Sequence, residues 1–283
     1  MTSVIIPAHN ESNVILGALQ SLAESTQPPD QIIVVCNGCT DNTADLVRNY
    51  NKDVIVIETP IASKTNALNE GDAAAGGFPR VYMDADVRLS QDALEKMLQT
   101  LSENFQATSP RIIMRLDGVS KLVRAYYDVW LTLPYCKNGM IGAGVYALSE
   151  EGRARFERFP DVIADDGFVR ALFKESERTA TEDCYSIVSA PKTMSGLFKI
   201  KTRSRIGGYE LQKKYPELIK NEDKDYKAVL IQWLWQVQNW PKILIYTFVN
   251  FYTKIRARNM LKKGEYSWER DETSRLNSEY DNN

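Results

Sequence analysis

Short, wholly apolar runs rich in β-branched residues occur at positions 4–6, 32–35, 54–57 and 81–83. Between them, apolar residues recur at helical spacing over 14–23, 44–50, 64–75 and 91–101. A strand that is apolar throughout, rather than alternating, is covered on both faces, and strands that alternate with helices build a parallel sheet. Four such units predict an α/β fold, three layers deep, with a mostly parallel central sheet. Ligands of open sheets of this kind bind just beyond the carboxyl ends of the strands.

The residues at those ends are polar. The first run leads into Pro7-Ala8-His9-Asn10-Glu11 and the second into Asn37-Gly38-Cys39-Thr40-Asp41. The third leads through Glu58-Thr59-Pro60 to Lys64, and the fourth ends in Asp84-Ala85-Asp86. Acids, amides and a lysine on one edge predict a site for a polar ligand and a cation. Two carboxylates at i and i+2 in a turn can converge on a hard cation such as Mg²⁺ or Mn²⁺, leaving positions open for phosphate oxygens and water.

The second half is less regular. A strand is expected at 107–114, a helix at 119–131, and a loop and strand at 139–148. Asp165-Asp166 precedes a helix at 168–173, and a strand follows at 185–190. Lys199, Lys201, Arg203 and Arg205 alternate, which predicts an extended segment with its cations on one face. From there Arg203 could grip a diphosphate by paired hydrogen bonds. Residues 226–263 carry Trp233, Trp235, Trp240 and Tyr246, with basic residues after them. Gln232, Gln236, Gln238, Asn239 and Lys242 interrupt the apolar run, so a spanning helix is not expected. An interfacial helical segment at a membrane surface fits the aromatic and basic pattern. Packing onto the rest of the chain, or onto a second subunit in a homo-oligomer, is the alternative.

Composition narrows the function classes. The 283 residues are 43% hydrophobic and 25% charged, with a net charge of −2, which gives no basic footprint for nucleic acid. The first residues lack a basic segment and a long apolar segment, so a cytoplasmic location is the expectation, including the cytoplasmic face of a membrane. Cys36 and Cys39 form a C-x-x-C, but there is no second close pair and His9 is the only histidine, so small residues in a tight loop are expected rather than zinc ligands.

Four segments then carry a resemblance. They are residues 3–11, residues 34–44 (including Asn37-Gly38-Cys39-Thr40-Asp41), residues 64–71 (beginning Lys64-Thr65-Asn66) and Tyr82-Met83-Asp84-Ala85-Asp86. Together they resemble the inverting family 2 glycosyltransferases of GT-A fold. The resemblance implies an enzyme of hexosyltransferase type that moves a sugar from a nucleoside-diphosphate donor to a hydroxyl acceptor, whether glycan, lipid or small molecule. It implies that Pro7, Ala8, His9, Glu11 and Asn37 line the nucleobase pocket, with Lys64 near the base and diphosphate. It also implies that Asp84 and Ala85 lie at the ribose and that Asp86, with Asp84, holds the metal. Many relatives carry an acid where Asn37 stands; an asparagine carbonyl can still accept from uracil N3–H, so UDP is expected ahead of GDP.

An inverting transfer needs a general base. With His9 in the nucleotide loop, the base is expected to be a carboxylate. Asp166, with Asp165 as its orienting neighbour, fits by its position before a helix and strand; Glu182-Asp183 fits the family's wording more literally. Gly142-Ala143-Gly144 resembles the acceptor-side loop. The Q-x-x-R-W of processive relatives is absent, which disfavours a polymer synthase. The implied layout is a transferase domain over 1–225, its donor half at 1–105 and its acceptor half at 106–225, followed by a helical segment at 226–283. Two other functions remain: a sugar-phosphate nucleotidyltransferase, which would want a glycine-rich loop after the first strand, and an inactive nucleotide-sugar-binding scaffold. No G-x-G-x-x-G follows the first strand, which disfavours a dinucleotide dehydrogenase.

Overall fold

The computed structural model describes residues 1–103, 105–133, 136, 144–219, 237–264 and 271–275. The four apolar runs are the parallel strands β1 (Ser3–Ala8), β2 (Gln31–Asn37), β3 (Ile55–Thr59) and β4 (Arg80–Met83), in the order β3-β2-β1-β4. The sheet continues from β4 through β7 (Val145–Leu148), β6 (Ala107–Arg115), β8 (Arg178–Ser189) and β5 (Val87–Leu89). β7 is antiparallel to both its neighbours, β8 is parallel to β6, and β5 is antiparallel to β8. All four parallel strands of the first half therefore end on one edge.

Helices α1 (Ile15–Ala23), α2 (Thr43–Tyr50), α3 (Lys64–Ala74), α4 (Ala93–Ser102) and α5 (Lys121–Trp130) fall where the helical spacing predicts them. Successive residues of a strand face opposite sides, and β1 divides its side chains accordingly. Val4, Ile6 and Ala8 pack with Leu19 of α1, Val47 of α2 and Leu94 of α4. Ile5 packs the other way, with Ile33, Val35 and Leu68 of α3. β1, β2 and β4 are covered on both faces as their apolar runs require, whereas β3, at the sheet edge, is half-exposed along its length and leaves Ile55 exposed. α3 lies close against the sheet at Gly71, where a Cβ would stand 2.5 Å from Ile5 Cγ2 and 3.2 Å from Val35 Cγ2. The Ser63 hydroxyl caps α3 by accepting from Asn66 N, so the helix begins at Lys64.

The remaining α-helices among the described residues are α6 (Glu150–Arg153), α7 (Asp165–Ala171), α8 (Met194–Lys214), α9 (Pro216–Ile219) and α10 (Trp240–Lys263). Here three expectations are corrected. Lys199, Lys201, Arg203 and Arg205 are helical, not extended. The Thr193 side chain caps α8 by accepting from Gly196 N, and Leu197, Thr202, Ile206 and Leu211 form its buried positions. The charges alternate by sequence, but the buried residues set the period. The last strand begins at Arg178 rather than at 185, so Glu182 and Asp183 lie inside it, at a register shift against β6. Asp183 there takes a left-handed φ of 52°. Finally, Asp165 and Asp166 form the first turn of α7 rather than preceding it.

α10 starts with Pro241 in its first turn and ends at Gly264, whose φ of 67° terminates it. It packs on α5 and α8 through Val249, which joins Val123, Tyr126 and Leu197, and through Thr253 and Ala257 on the same stripe. Among the described residues no helix is long and apolar enough to cross a membrane. Trp233 and Trp235 of the expected aromatic segment lie outside the described residues, as do Gly142 and Ala143.

Candidate active site

The loop after β1 is fixed by its neighbour after β2. Asn10 takes a φ of 53°, and its side-chain oxygen accepts from Thr40 N at 2.7 Å. Glu11 N donates to Thr43 Oγ1 at 2.9 Å. His9 Nδ1 lies 2.6 Å from Asn37 O, and since a carbonyl only accepts, the proton is on Nδ1. All four cysteines are free thiols; Cys39 lies in this same junction, accepting from Asn10 N and donating to Ala8 O.

The Asp84-Ala85-Asp86 turn leaves β4 and is held by two backbone bonds, Asp84 N to Gly144 O at 2.7 Å and Val87 N to Asp84 O at 3.2 Å. Gly144 has a φ of 73°, and a Cβ there would stand 2.6 Å from Val87 Cγ2 and 3.3 Å from Asp84 Oδ2. Only glycine lets that backbone lie against the acidic turn.

One cavity of about 1180 Å³ gathers these elements. Pro7, His9, Glu11, Asn37, Lys64, Asp84, Ala85, Asp86, Asp165, Asp166 and Arg203 all line it. Ala8 does not: its side chain is fully buried among core residues on the α1 side of β1. Glu182 and Asp183 also lie outside it. Glu182 is exposed and pairs with Arg111, while the Asp183 carbonyl accepts from Lys96.

Charge within the cavity is arranged in two bridges. Lys64 Nζ donates to Asp84 Oδ1 at 2.7 Å and to Asp165 Oδ1 at 3.0 Å, linking the tip of β4 to the start of α7. Burial opposes the Lys64 charge, but Asp165 and Asp84 outweigh it and raise its pKa. Burial likewise raises the pKa of both carboxylates, with Lys64 working against the shift. Asp165 Oδ2 and the Tyr146 hydroxyl are buried without a hydrogen-bond partner among the described residues. Asp166 lies beside this bridge, its Oδ1 accepting from Gly167 N at 2.7 Å. The second bridge is Arg275, which donates to Glu11 at 2.9 and 3.2 Å and to Asp86 Oδ2 at 2.7 Å.

Lys64→Met is expected to destabilise the fold by about 1–3 kcal/mol near neutral pH, because it leaves two carboxylates without their cation. The effect is kept below that of a fully buried pair by exposure, 28% for Lys64 and 36% for Asp84. Since both carboxylates have raised pKa values, lowering the pH protonates them and removes the unpaired charge. The difference in Tm from the unmodified protein is therefore expected to shrink from neutral pH toward about pH 5. Thermal melts across that range check it; a difference that grows on acidification contradicts it.

The far wall of the cavity is aromatic and basic. Lys201 Nζ lies 4.3 Å from the Trp130 ring centre and 5.4 Å from that of Tyr126. Burial, with Arg205 nearby, pulls the Lys201 amine down to about 8. Arg205 is tied to α10, donating to Thr253 Oγ1 and Asn250 Oδ1. Neither this aromatic wall nor Arg275 is marked by the sequence motifs.

The model of glycosyl transferase family 2 matches residues 3–148, just over half of the chain. The chain belongs to glycosyl transferase family 2. A curated relative, the poly-β-1,6-N-acetyl-D-glucosamine synthase of Staphylococcus epidermidis, is 26% identical over 227 residues, covering 74% of this chain and 55% of that protein. The chain thus spans about half the length of the curated relatives it matches. Among solved structures, the mannosyltransferase PcManGT of Pyrobaculum calidifontis, in complex with GDP-Man and Mn²⁺, matches with a TM-score of 0.58 at 20% identity over 93% of this chain and 79% of that one. S. aureus TarS residues 1–349, in complex with UDP, matches with a TM-score of 0.52 at 13% identity over 94% and 92% of the two chains. The likeness is one of fold, and it bears out the expected GT-A-like α/β architecture.

Proposed function

We propose that this family 2 chain is an inverting, cation-dependent glycosyltransferase that moves a sugar from a nucleoside-diphosphate donor to a hydroxyl acceptor. The observation that carries the reading is that one cavity, at the carboxyl ends of β1, β2 and β4, is lined by Asp84, Asp86, Asp165 and Asp166 together. Asp86 and Asp84 would hold the cation. Their all-oxygen donor set suits Mg²⁺ or Mn²⁺, ions whose remaining positions can belong to diphosphate oxygens and water. When bound, the cation supplies charge neutralisation at the departing diphosphate.

The chain's own residues would do the rest. Asp166 would accept the proton of the acceptor hydroxyl as the oxygen attacks the anomeric carbon, and the Lys64 bridge would hold Asp165, and through it the start of α7, against the donor. Asn37, with its carbonyl fixed to His9, would meet the nucleobase, and its amide oxygen suits uracil N3–H. PcManGT is described with GDP-Man and TarS with UDP, so both donor classes occur on this fold; UDP is proposed on the chemistry of Asn37. In this layout residues 1–105 hold the donor, residues 106–225 the acceptor, and residues 226–283 carry α10 and Arg275. A nucleoside diphosphate should raise Tm strongly only when Mn²⁺ is present; a cation-independent increment would sink the metal-dependent reading.

We further propose that α10 contacts an anionic membrane surface. Trp240, Leu244, Phe248 and Phe251 form an outward stripe, each more than half exposed, on the face opposite Val249 and Thr253. The helix contains no acid, and Lys254, Arg258, Lys262 and Lys263 cluster exposed toward its end. Apolar area beside positive charge is what binds an anionic interface. Flotation with phosphatidylglycerol vesicles is expected to carry the unmodified protein, and the Leu244→Ser, Phe248→Ser, Phe251→Ser triple variant to stay at the bottom. Equal flotation of the two would retire the idea.

A further inference from the structure

We infer that Arg275 is a donor-diphosphate-binding residue that also serves as the site's resident cation, so that a divalent ion enters only in company with a diphosphate. This rests on the cation-dependent reading of Asp86 and extends it to a residue 189 positions away in sequence.

The guanidinium spans the two carboxylates nearest the tip of β1 and the acidic turn. Its Nε and Nη2 donate to both oxygens of Glu11, and Nη2 also reaches Asp86 Oδ2. The Arg275 side chain is only 15% exposed. It is delivered by an anchored turn. Lys192 N donates to Thr273 Oγ1 at 2.9 Å, tying the turn to the segment that leads into α8. Ser274 N donates to Asp271 Oδ2 at 3.0 Å, and Arg275 Nη1 to Asp271 O at 3.0 Å. Asp271 in turn sits so close over Gly196 that a Cβ there would stand 2.2 Å from its Oδ1. A side chain supported in this way is a built part of the cavity.

Two consequences follow from charge. A bare divalent ion approaching Asp86 meets a guanidinium already bound to that carboxylate, and the two cations repel. A diphosphate brings negative charge that accommodates both, and its oxygens match the planar fork of arginine. Arg275 can then exchange Asp86 for the donor while its turn stays anchored on α8. Lysine would keep the charge and lose the fork.

Mn²⁺ titration of the full chain, with free ion followed by electron paramagnetic resonance and with and without UDP or GDP, tests this. Arg275→Gln is expected to bind bare Mn²⁺ about ten-fold more tightly than the unmodified protein, since a charge-assisted hydrogen bond at the ligand is removed. It is also expected to lose about ten-fold of the nucleotide's enhancement of Mn²⁺ affinity. Arg275→Lys should fall between the two in both measurements. Unchanged affinity for bare Mn²⁺ in Arg275→Gln, with nucleotide-enhanced binding intact in the unmodified protein, overturns the role of Arg275 and leaves the cation reading standing. Absence of Mn²⁺ binding in every protein, with or without nucleotide, removes both.

Discussion

Asp86→Ala is expected to lower sugar transfer by about 10³-fold, equivalent to roughly 4 kcal/mol of transition-state stabilisation. The size follows from what the cation would do. In the proposed transfer the leaving group is a diphosphate, charge would build on it as the glycosidic bond breaks, and a Lewis acid at that point is worth several kcal/mol. Asp86 is well placed to carry the loss without unfolding the chain. It lies in the turn after β4, its side chain is 27% exposed, and its one described cation partner, Arg275, keeps both oxygens of Glu11 when it is removed. The same variant should lose the Mn²⁺-dependent part of the nucleotide-induced rise in Tm. Transfer and cation-dependent stabilisation that both survive the substitution would remove Asp86 from the donor site.

Asp166→Asn is expected to separate chemistry from binding. General-base catalysis contributes about 10²–10⁴-fold, so kcat should fall by that range while donor affinity stays unchanged. Asparagine has nearly the shape of aspartate, and its carbonyl can still accept from Gly167 N as Asp166 Oδ1 does. The first turn of α7 should therefore persist, and any loss reports the missing basic oxygen. Asp183→Asn is the paired control. Asp183 sits in a strand bulge with its carbonyl bound by Lys96, outside the cavity, and its substitution should leave kcat intact. A large loss in Asp183→Asn with none in Asp166→Asn would transfer the role to the other acidic pair.

The first hundred residues were readable because β1, β2 and β4 are buried on both faces and even the half-exposed edge strand β3 is an unbroken apolar run over Ile55-Val56-Ile57. A run such as Val4-Ile5-Ile6 carries its fold in its composition, and the polar residues that follow it are then placed at the sheet edge by topology. The acidic turn, Lys64 and Asn37 reach one cavity for that reason, and the first turn of α7 brings Asp165 and Asp166 to the same cavity from the second half. Ala8 is not among the residues lining the cavity for a related reason: it is still inside β1, and the same alternation that buries Val4 and Ile6 buries it too. α8 misled because its charges repeat every second residue while its buried residues do not. Lys201 and Arg203 are neighbours in the pattern but sit on a helix, where residues two apart do not share a face. The Thr193 cap was the local signal that a helix begins. Arg275 had no signal in the motifs, since the carboxylates it bridges, Glu11 and Asp86, are far from it in sequence and its one described near partner is the Asp271 carbonyl, a main-chain group that any residue offers.

The seam between α3 and the sheet at Gly71 bears on the acidic site as a mechanical pivot. It lies seven positions beyond Lys64, about 10 Å along the helix axis. A larger side chain at the pivot would lever α3 outward from Ile5 and Val35 and carry the ammonium away from Asp84 and Asp165. The alignment of the polar groups is thus calibrated by an apolar contact that no donor or acceptor ever touches.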